Sequence, residues 1–259
     1  MKNTSYFTGL YLWVQGLLLL ALRWMQMKSG FDPETGLARQ SQAGIVLAAA
    51  LLLLAAVEAV RCFRRSGEKL PYARCFRPME GPEIPLLAAG SLLLGGGSVL
   101  LAVTGLRETG PSVLAIAAAA AGAAAAAGLL LFTKQTRSGE SRVLPLLPAM
   151  VFSVLFLLTV YLPQGNNPVL ARYYLPVLAA ALIACSFYQL AGFPCREASM
   201  RWFTFFGNLA VPTSLAALAD SFRNWGQMMA FAGCAIILTV FLLLRRAEPL
   251  PEAQQDRAE

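Results

Sequence analysis

Residues 112–133, SVLAIAAAAAGAAAAAGLLLFT, decide the architecture of this chain, because their placement sets whether the polypeptide crosses a bilayer an even or an odd number of times. Alanine and glycine each contribute little transfer free energy, so from Ala115 to Gly128 the segment is the weakest apolar run in the sequence. Its neighbours are not weak. A helix that spans about 20 apolar residues fits seven further stretches, giving spans at 6–22, 43–60, 84–106, 112–133, 143–162, 173–193, 202–219 and 226–244.

The distribution of basic residues provides an independent check. With eight spans and a cytoplasmic amino terminus, 15 of the 21 Lys and Arg residues fall in cytoplasmic segments. The other 6, Arg23, Lys28, Arg39, Arg107, Arg172 and Arg223, fall outside. Removing 112–133 inverts everything after it and leaves 9 inside against 12 outside, opposite to the positive-inside bias. The expected fold is therefore an all-α, polytopic bundle of about eight spans with both termini cytoplasmic. Residues 1–244 form a single transmembrane domain and 245–259 a short polar tail. The stretch after Lys2 lacks a small-x-small cleavage site and runs into Arg23 and Trp24, so it reads as an uncleaved first span.

Composition agrees with this reading. The 259 residues are 57% hydrophobic and only 14% charged, with mean hydropathy +0.59, whereas about a quarter of a soluble domain is charged. No segment between spans exceeds 23 residues, too short to bury a core of its own. The net charge of +7 follows from topology and requires no nucleic acid. The expected location is the cell membrane, by composition the bacterial cytoplasmic membrane.

Several chemistries are excluded. The chain has no histidine, which removes Ser-His-Asp hydrolysis, HExxH zinc proteolysis and His-ligated haem. Its four lysines, Lys2, Lys28, Lys69 and Lys134, lie at a terminus or between apolar runs, so none is placed to form an intramembrane Schiff base. The five cysteines suggest neither a disulfide framework nor, with twelve residues between Cys62 and Cys75, a zinc site. No catalytic residue, cofactor or metal is expected. Asp32, Glu34 and Asp220 lie on the outer side, but no calcium-loop spacing links them, and ordinary turns are the simpler account.

Ionisable residues at membrane depth are costly and mark function by default. Of the fourteen carboxylates only Glu58 falls inside a span, near its cytoplasmic end with Arg61 three residues on, which reads as a boundary ion pair. Asp220 borders a span beside Arg223 and reads the same way. The absence of a titratable relay at the midplane argues against proton pumping. The uncharged candidates are Gln15, Gln189 and Asn208. Pro212 lacks the N–H that would bond the Asn208 carbonyl, and Thr213 and Ser214 follow it, so this segment is where a small polar solute or sodium ion would bind. An interhelical hydrogen bond is the alternative.

Small residues Gly90, Gly95, Gly96 and Gly97, followed by the alanine run, predict that the third and fourth spans form a tight antiparallel pair. No inverted repeat relates the two halves, which weakens a transporter assignment. The basic loop from Arg61 to Arg77, interleaved with Phe63, Tyr72 and Phe76, is suited to anionic lipid head groups or to a protein partner. The function expected is an integral multi-pass protein, a non-enzymatic scaffold or subunit acting through a membrane or cytosolic partner. The alternative is a small transporter or channel for a neutral or sodium-coupled solute.

Overall fold

The computed structural model describes residues 2–32, 41–64, 69, 71–79, 81–108, 112–137, 145–162, 170–195, 197–222 and 224–246. Most of these residues are helical: α1 (Lys2–Ser29), α2 (Gln42–Phe63), α3 (Tyr72–Cys75), α4 (Glu83–Glu108), α5 (Val113–Arg137), α6 (Leu147–Tyr161), α7 (Leu170–Gly192), α8 (Met200–Ala217) and α9 (Trp225–Leu244). Local chemistry sets several helix starts. The Ser41 hydroxyl accepts from the Gly44 N–H at 3.1 Å at the head of α2, and Asn224 Oδ1 accepts from the Gln227 N–H at 3.1 Å at the head of α9. Gly81, at φ 70°, turns the chain into α4 in a conformation that disfavours side chains.

Six helices are long and apolar enough to cross a membrane: α1, α2, α4, α5, α7 and α9. The alanine-rich stretch is among them. Two predicted spans, 143–162 and 202–219, coincide with helices that fall short by length and composition alone. α6 has 15 residues. α8 is polar for a span, but every residue from Gly207 to Ala217 is buried. A helix wrapped by other helices meets little lipid, so its apolar demand is lower than hydropathy assumes.

The helices pack around α9. α4, α5, α6, α7 and α8 lie side by side in chain order, α8 packs in turn on α1 and α2, and α9 lies against α4, α8 and α1 with a smaller contact to α7. The most extensive contact is between α4 and α9, and glycine makes it possible. A Cβ on Gly97 would lie 2.8 Å from the Gly226 carbonyl oxygen, and one on Gly90 would lie 3.2 Å from that of Gly233. From the other side, Gly226 approaches the Leu101 N–H and Gly233 the Leu94 N–H closely enough that a Cβ would sit at 2.5 and 2.7 Å. Each helix thus carries two glycines seven residues apart, and the pairs meet in antiparallel register. Lipid tails are as apolar as leucine, so association here depends on close backbone packing rather than on hydrophobic burial.

The expected pairing of α4 with α5 is also present, with Gly95 facing Ala126 and Gly122 facing Ser98. The glycine cluster therefore serves two partners. Gly95 turns to α5, while Gly90 and Gly97 turn to α9. The remaining interior is filled by phenylalanine, including Phe132, Phe152, Phe156, Phe187, Phe231 and Phe241.

One end of the bundle is closed by the segment between α2 and α4. Tyr72, Cys75, Phe76 and Met79 are buried. The Phe76 ring meets Phe193, Phe203 and Phe241 edge-on at centroid distances of 5.0, 5.6 and 6.4 Å, and stacks on Tyr72 at 4.5 Å. Backbone bonds tie it to the end of α9: the Arg77 N–H donates to Leu244 O at 2.9 Å and the Arg246 N–H to Cys75 O at 2.8 Å. The middle of the predicted basic loop is thus part of the core. Burial pushes the Cys75 thiol up to about 11, with Arg74 opposing the shift, and raises the Tyr72 phenol further still. At the rim, Lys69 pairs with Glu197 and holds that carboxyl below its ordinary value, and Arg77 pairs with buried Glu83 at 2.5 Å.

A candidate intramembrane polar site

Glu58 is fully buried, one turn before the end of α2. The sequence placed it at a boundary with Arg61. That pair is present at 3.0 Å between Arg61 Nη1 and Glu58 Oε1, and 56% of the arginine side chain remains exposed. The second carboxylate oxygen points inward, and Asn208 Nδ2 on α8 donates to it at 2.6 Å. The expected ion pair is present, and the carboxylate also reaches into the bundle to Asn208, a contact the spacing did not announce. Its burial is supported by two donors, one charged and one neutral. The Arg61 guanidinium also sits over the Tyr11 ring of α1, 5.2 Å from its centroid, so three helices meet at this carboxylate.

Two oxygens in this neighbourhood of α8 are buried without a hydrogen-bond partner, Asn208 Oδ1 and Thr204 Oγ1. They belong to residues one helical turn apart and so share a face. Oxygen atoms, two of the carboxylate and two unpartnered, are the ligand type that an alkali cation takes.

The other predicted members of the site are dispersed. Pro212 lies inside α8, which continues through it to Ala217. Thr213 and Ser214 turn back on their own helix: the Thr213 hydroxyl donates to Leu209 O at 2.7 Å and the Ser214 hydroxyl to Ala210 O at 2.5 Å. Gln189 sits elsewhere, its Oε1 accepting from the Ser199 N–H at 3.3 Å at the head of α8. Gln15, on α1, carries a buried Oε1 with no partner and makes no hydrogen bond to Asn208. Only Asn208 of the six residues thus engages a charged group, and Glu58 is the functional candidate that sequence reading set aside. The signal was present: Glu58 stands five residues inside the helix end, deep enough for an unpaired carboxylate to be costly.

A second buried charge lies at the opposite end. Arg23 is fully buried in α1 and donates to Asp220 from Nε at 3.0 and 3.1 Å and from Nη2 at 2.7 Å, while Nη1 donates to Gln26 Oε1 at 2.7 Å. Its guanidinium also faces the Tyr174 ring at 5.2 Å. This corrects one expectation: Arg23 belongs to the first helix rather than to a loop. Asp220 pairs with it, and Arg223, the partner read from the sequence, lies outside the described residues. The fork geometry accounts for burial, since the carboxylate satisfies Nε and Nη2 together. Asp220 is thereby committed, and Glu34 lies outside the described residues.

No family model matches the chain, and no curated protein or solved structure does so.

Proposed function

We propose that this chain is a non-enzymatic, multi-pass subunit of the cell membrane that crosses it eight times, keeps both termini in the cytoplasm and acts through a protein partner. The observation that carries this reading is the position of α9. The place where a solute path would run is occupied by a helix buried over 72% of its apolar stretch and locked to α4 by backbone contact through glycine. The Phe76 plug at one end supports the same reading. α6 and α8, added to the six long apolar helices, make the eight spans that the positive-inside bias was read with. Short connecting segments leave the activity to the bundle faces and to whatever binds them.

The test is thiol accessibility. Asn208→Cys and Gln15→Cys, each in a cysteine-free background and in sealed vesicles, are expected to resist a membrane-impermeant maleimide from either side. Purification in mild detergent is expected to retain a second polypeptide in fixed ratio. Labelling at position 208 overturns the scaffold reading.

That labelling would favour a second reading, a small transporter or channel for a neutral or sodium-coupled solute. The specific observation behind it is the pair of unpartnered oxygens on Asn208 and Thr204 beside the Glu58 carboxylate. Sodium, and not potassium or choline, would then protect position 208 from the reagent.

A further inference from the structure

The last turns of α2 carry a groove open to the side of the bundle, about 380 Å³ in volume and lined by Ala56, Val57, Val60, Arg61 and Arg64. Positions 56, 60 and 64 repeat every four residues and 57 and 61 lie beside them, so all five share one helical face. The face is graded. Alanine and valine form its first two turns and arginine its last, over about 12 Å at 1.5 Å per residue.

Among the described residues, nothing acidic lines the groove. Glu58, the nearest carboxylate in sequence, points the other way into the bundle, where Asn208 holds it. It nevertheless anchors one wall, because its Oε1 takes the Arg61 Nη1 at 3.0 Å while the Tyr11 ring lies against the same guanidinium. Arg61 is thus oriented by two other groups and still more than half exposed. Arg64, at the helix C-cap, is exposed.

An apolar wall leading to paired guanidiniums at the end of a membrane helix complements one kind of molecule: a lipid whose acyl chain lies along Ala56, Val57 and Val60 and whose phosphate meets Arg61 and Arg64. Guanidinium is the donor best matched to phosphate oxygens, with parallel N–H groups for two of them. A zwitterionic head group would bring its own cation toward the arginines, so net negative charge is preferred. A partner helix filling the groove would have to supply carboxylates of its own.

We propose that the C-terminal end of α2 binds one anionic phospholipid in this groove. The proposal goes beyond the subunit reading and does not depend on it. It also narrows the general affinity expected of the loop from Arg61 to Arg77, because Tyr72, Cys75 and Phe76 within that loop are buried and Arg77 is paired with Glu83.

Native mass spectrometry of the purified protein in a neutral detergent tests the site, using phosphatidylglycerol and phosphatidylcholine of identical chains and, separately, glycerol phosphate. The singly lipidated species is expected to favour phosphatidylglycerol by about tenfold, and Arg64→Gln to reduce that preference roughly fivefold. Val60→Trp, which fills the apolar wall, is expected to lower the occupancy of both lipids. Unchanged thermal unfolding of Arg64→Gln shows that it folds; Arg61 is left intact because it pairs with buried Glu58. Equal occupancy by the two lipids, or an undiminished preference in Arg64→Gln, overturns the proposal. So does displacement of the lipid by glycerol phosphate, which would assign the site to a soluble anion, or a polypeptide cross-linking to position 60 irrespective of lipid.

Discussion

α2 and α9 are almost equally apolar, with mean hydropathies of 2.5 and 2.3, yet 17% of the first and 72% of the second lie buried. Hydropathy places both in a bilayer and says nothing about which becomes the centre. The difference is in the small residues and what they face. α9 presents Gly226 and Gly233 to Gly97 and Gly90, so two backbones come within van der Waals range. α2 presents leucine outward, with Leu52 and Leu53 73% and 67% exposed, and is attached by the Leu47 and Leu54 contacts and by polar links that include Glu58 to Asn208 and Arg61 to Tyr11. A helix becomes central here by admitting its neighbour's backbone.

The comparison is broken most severely at the glycine register. Gly233→Val or Gly226→Val puts a branched side chain where even a Cβ would lie 2.7 or 2.5 Å from a backbone nitrogen of α4. Either variant is expected to yield little monodisperse protein on size exclusion in detergent, and a normally folded Gly233→Val would remove the basis for calling α9 central.

Next in size is the plug at the α9 terminus. Phe76→Ala is expected to cost about 3–5 kcal/mol in denaturant unfolding, the range for losing a buried aromatic. It is also expected to make Cys75 reactive, since that thiol, pushed up to about 11 by burial, resists alkylation at neutral pH in the intact protein. Cys195, which is exposed, serves as the internal control.

A smaller loss is expected on α2. Asn208→Ala removes the inner donor to Glu58, and leaving a buried carboxylate oxygen unsatisfied costs about 1–3 kcal/mol. Leu53→Ala, in contrast, is expected to change stability by less than about 0.5 kcal/mol. A large effect of Leu53→Ala would mean that the α2 face is covered by a partner in the purified state.

The smallest effect concerns pH. The Glu197 carboxyl is held low chiefly by its hydrogen bond to Lys69 and by that residue's charge. A depressed carboxyl contributes stability above its unfolded value, and the contribution is lost as pH falls through the lowered folded value. Thermal unfolding on the acid side of the carboxylate range is therefore expected to be slightly less steep in pH for Glu197→Gln. The pair is exposed, so the shift is near the limit of measurement and vanishes at high salt.

Much of the fold was legible because hydropathy and charge distribution are local. The alanine-rich run is helical over Val113–Arg137 and long and apolar enough to cross a membrane, as its length implied. Pairings were less legible, because they join residues far apart in the chain. Arg23 reaches Asp220 and Glu58 reaches Asn208 across 197 and 150 positions, and neither residue's neighbours announce its partner. Reading Arg23 as a loop residue followed from its charge alone, whereas a bidentate carboxylate makes that charge compatible with a helix interior. Taking Asn208, Pro212, Thr213 and Ser214 as a unit assumed that the hydroxyls after the proline stay available beside the freed Asn208 carbonyl. Serine and threonine instead bonded the carbonyls of the preceding turn, leaving the asparagine amide as the group that reaches out. The heptad spacing of Gly226 and Gly233 was visible in the sequence, but its meaning depends on a matching pair in α4.

The seat of α9 has a consequence for biogenesis. Every helix it touches precedes it in the chain, so a nascent polypeptide emerging from amino to carboxyl end must hold α1, α4 and α8 around an unfilled middle until the keystone arrives. The glycine furrow of α4 waits in lipid during that interval. Insertion machinery or a companion protein shielding the furrow would determine whether the assembly closes or aggregates.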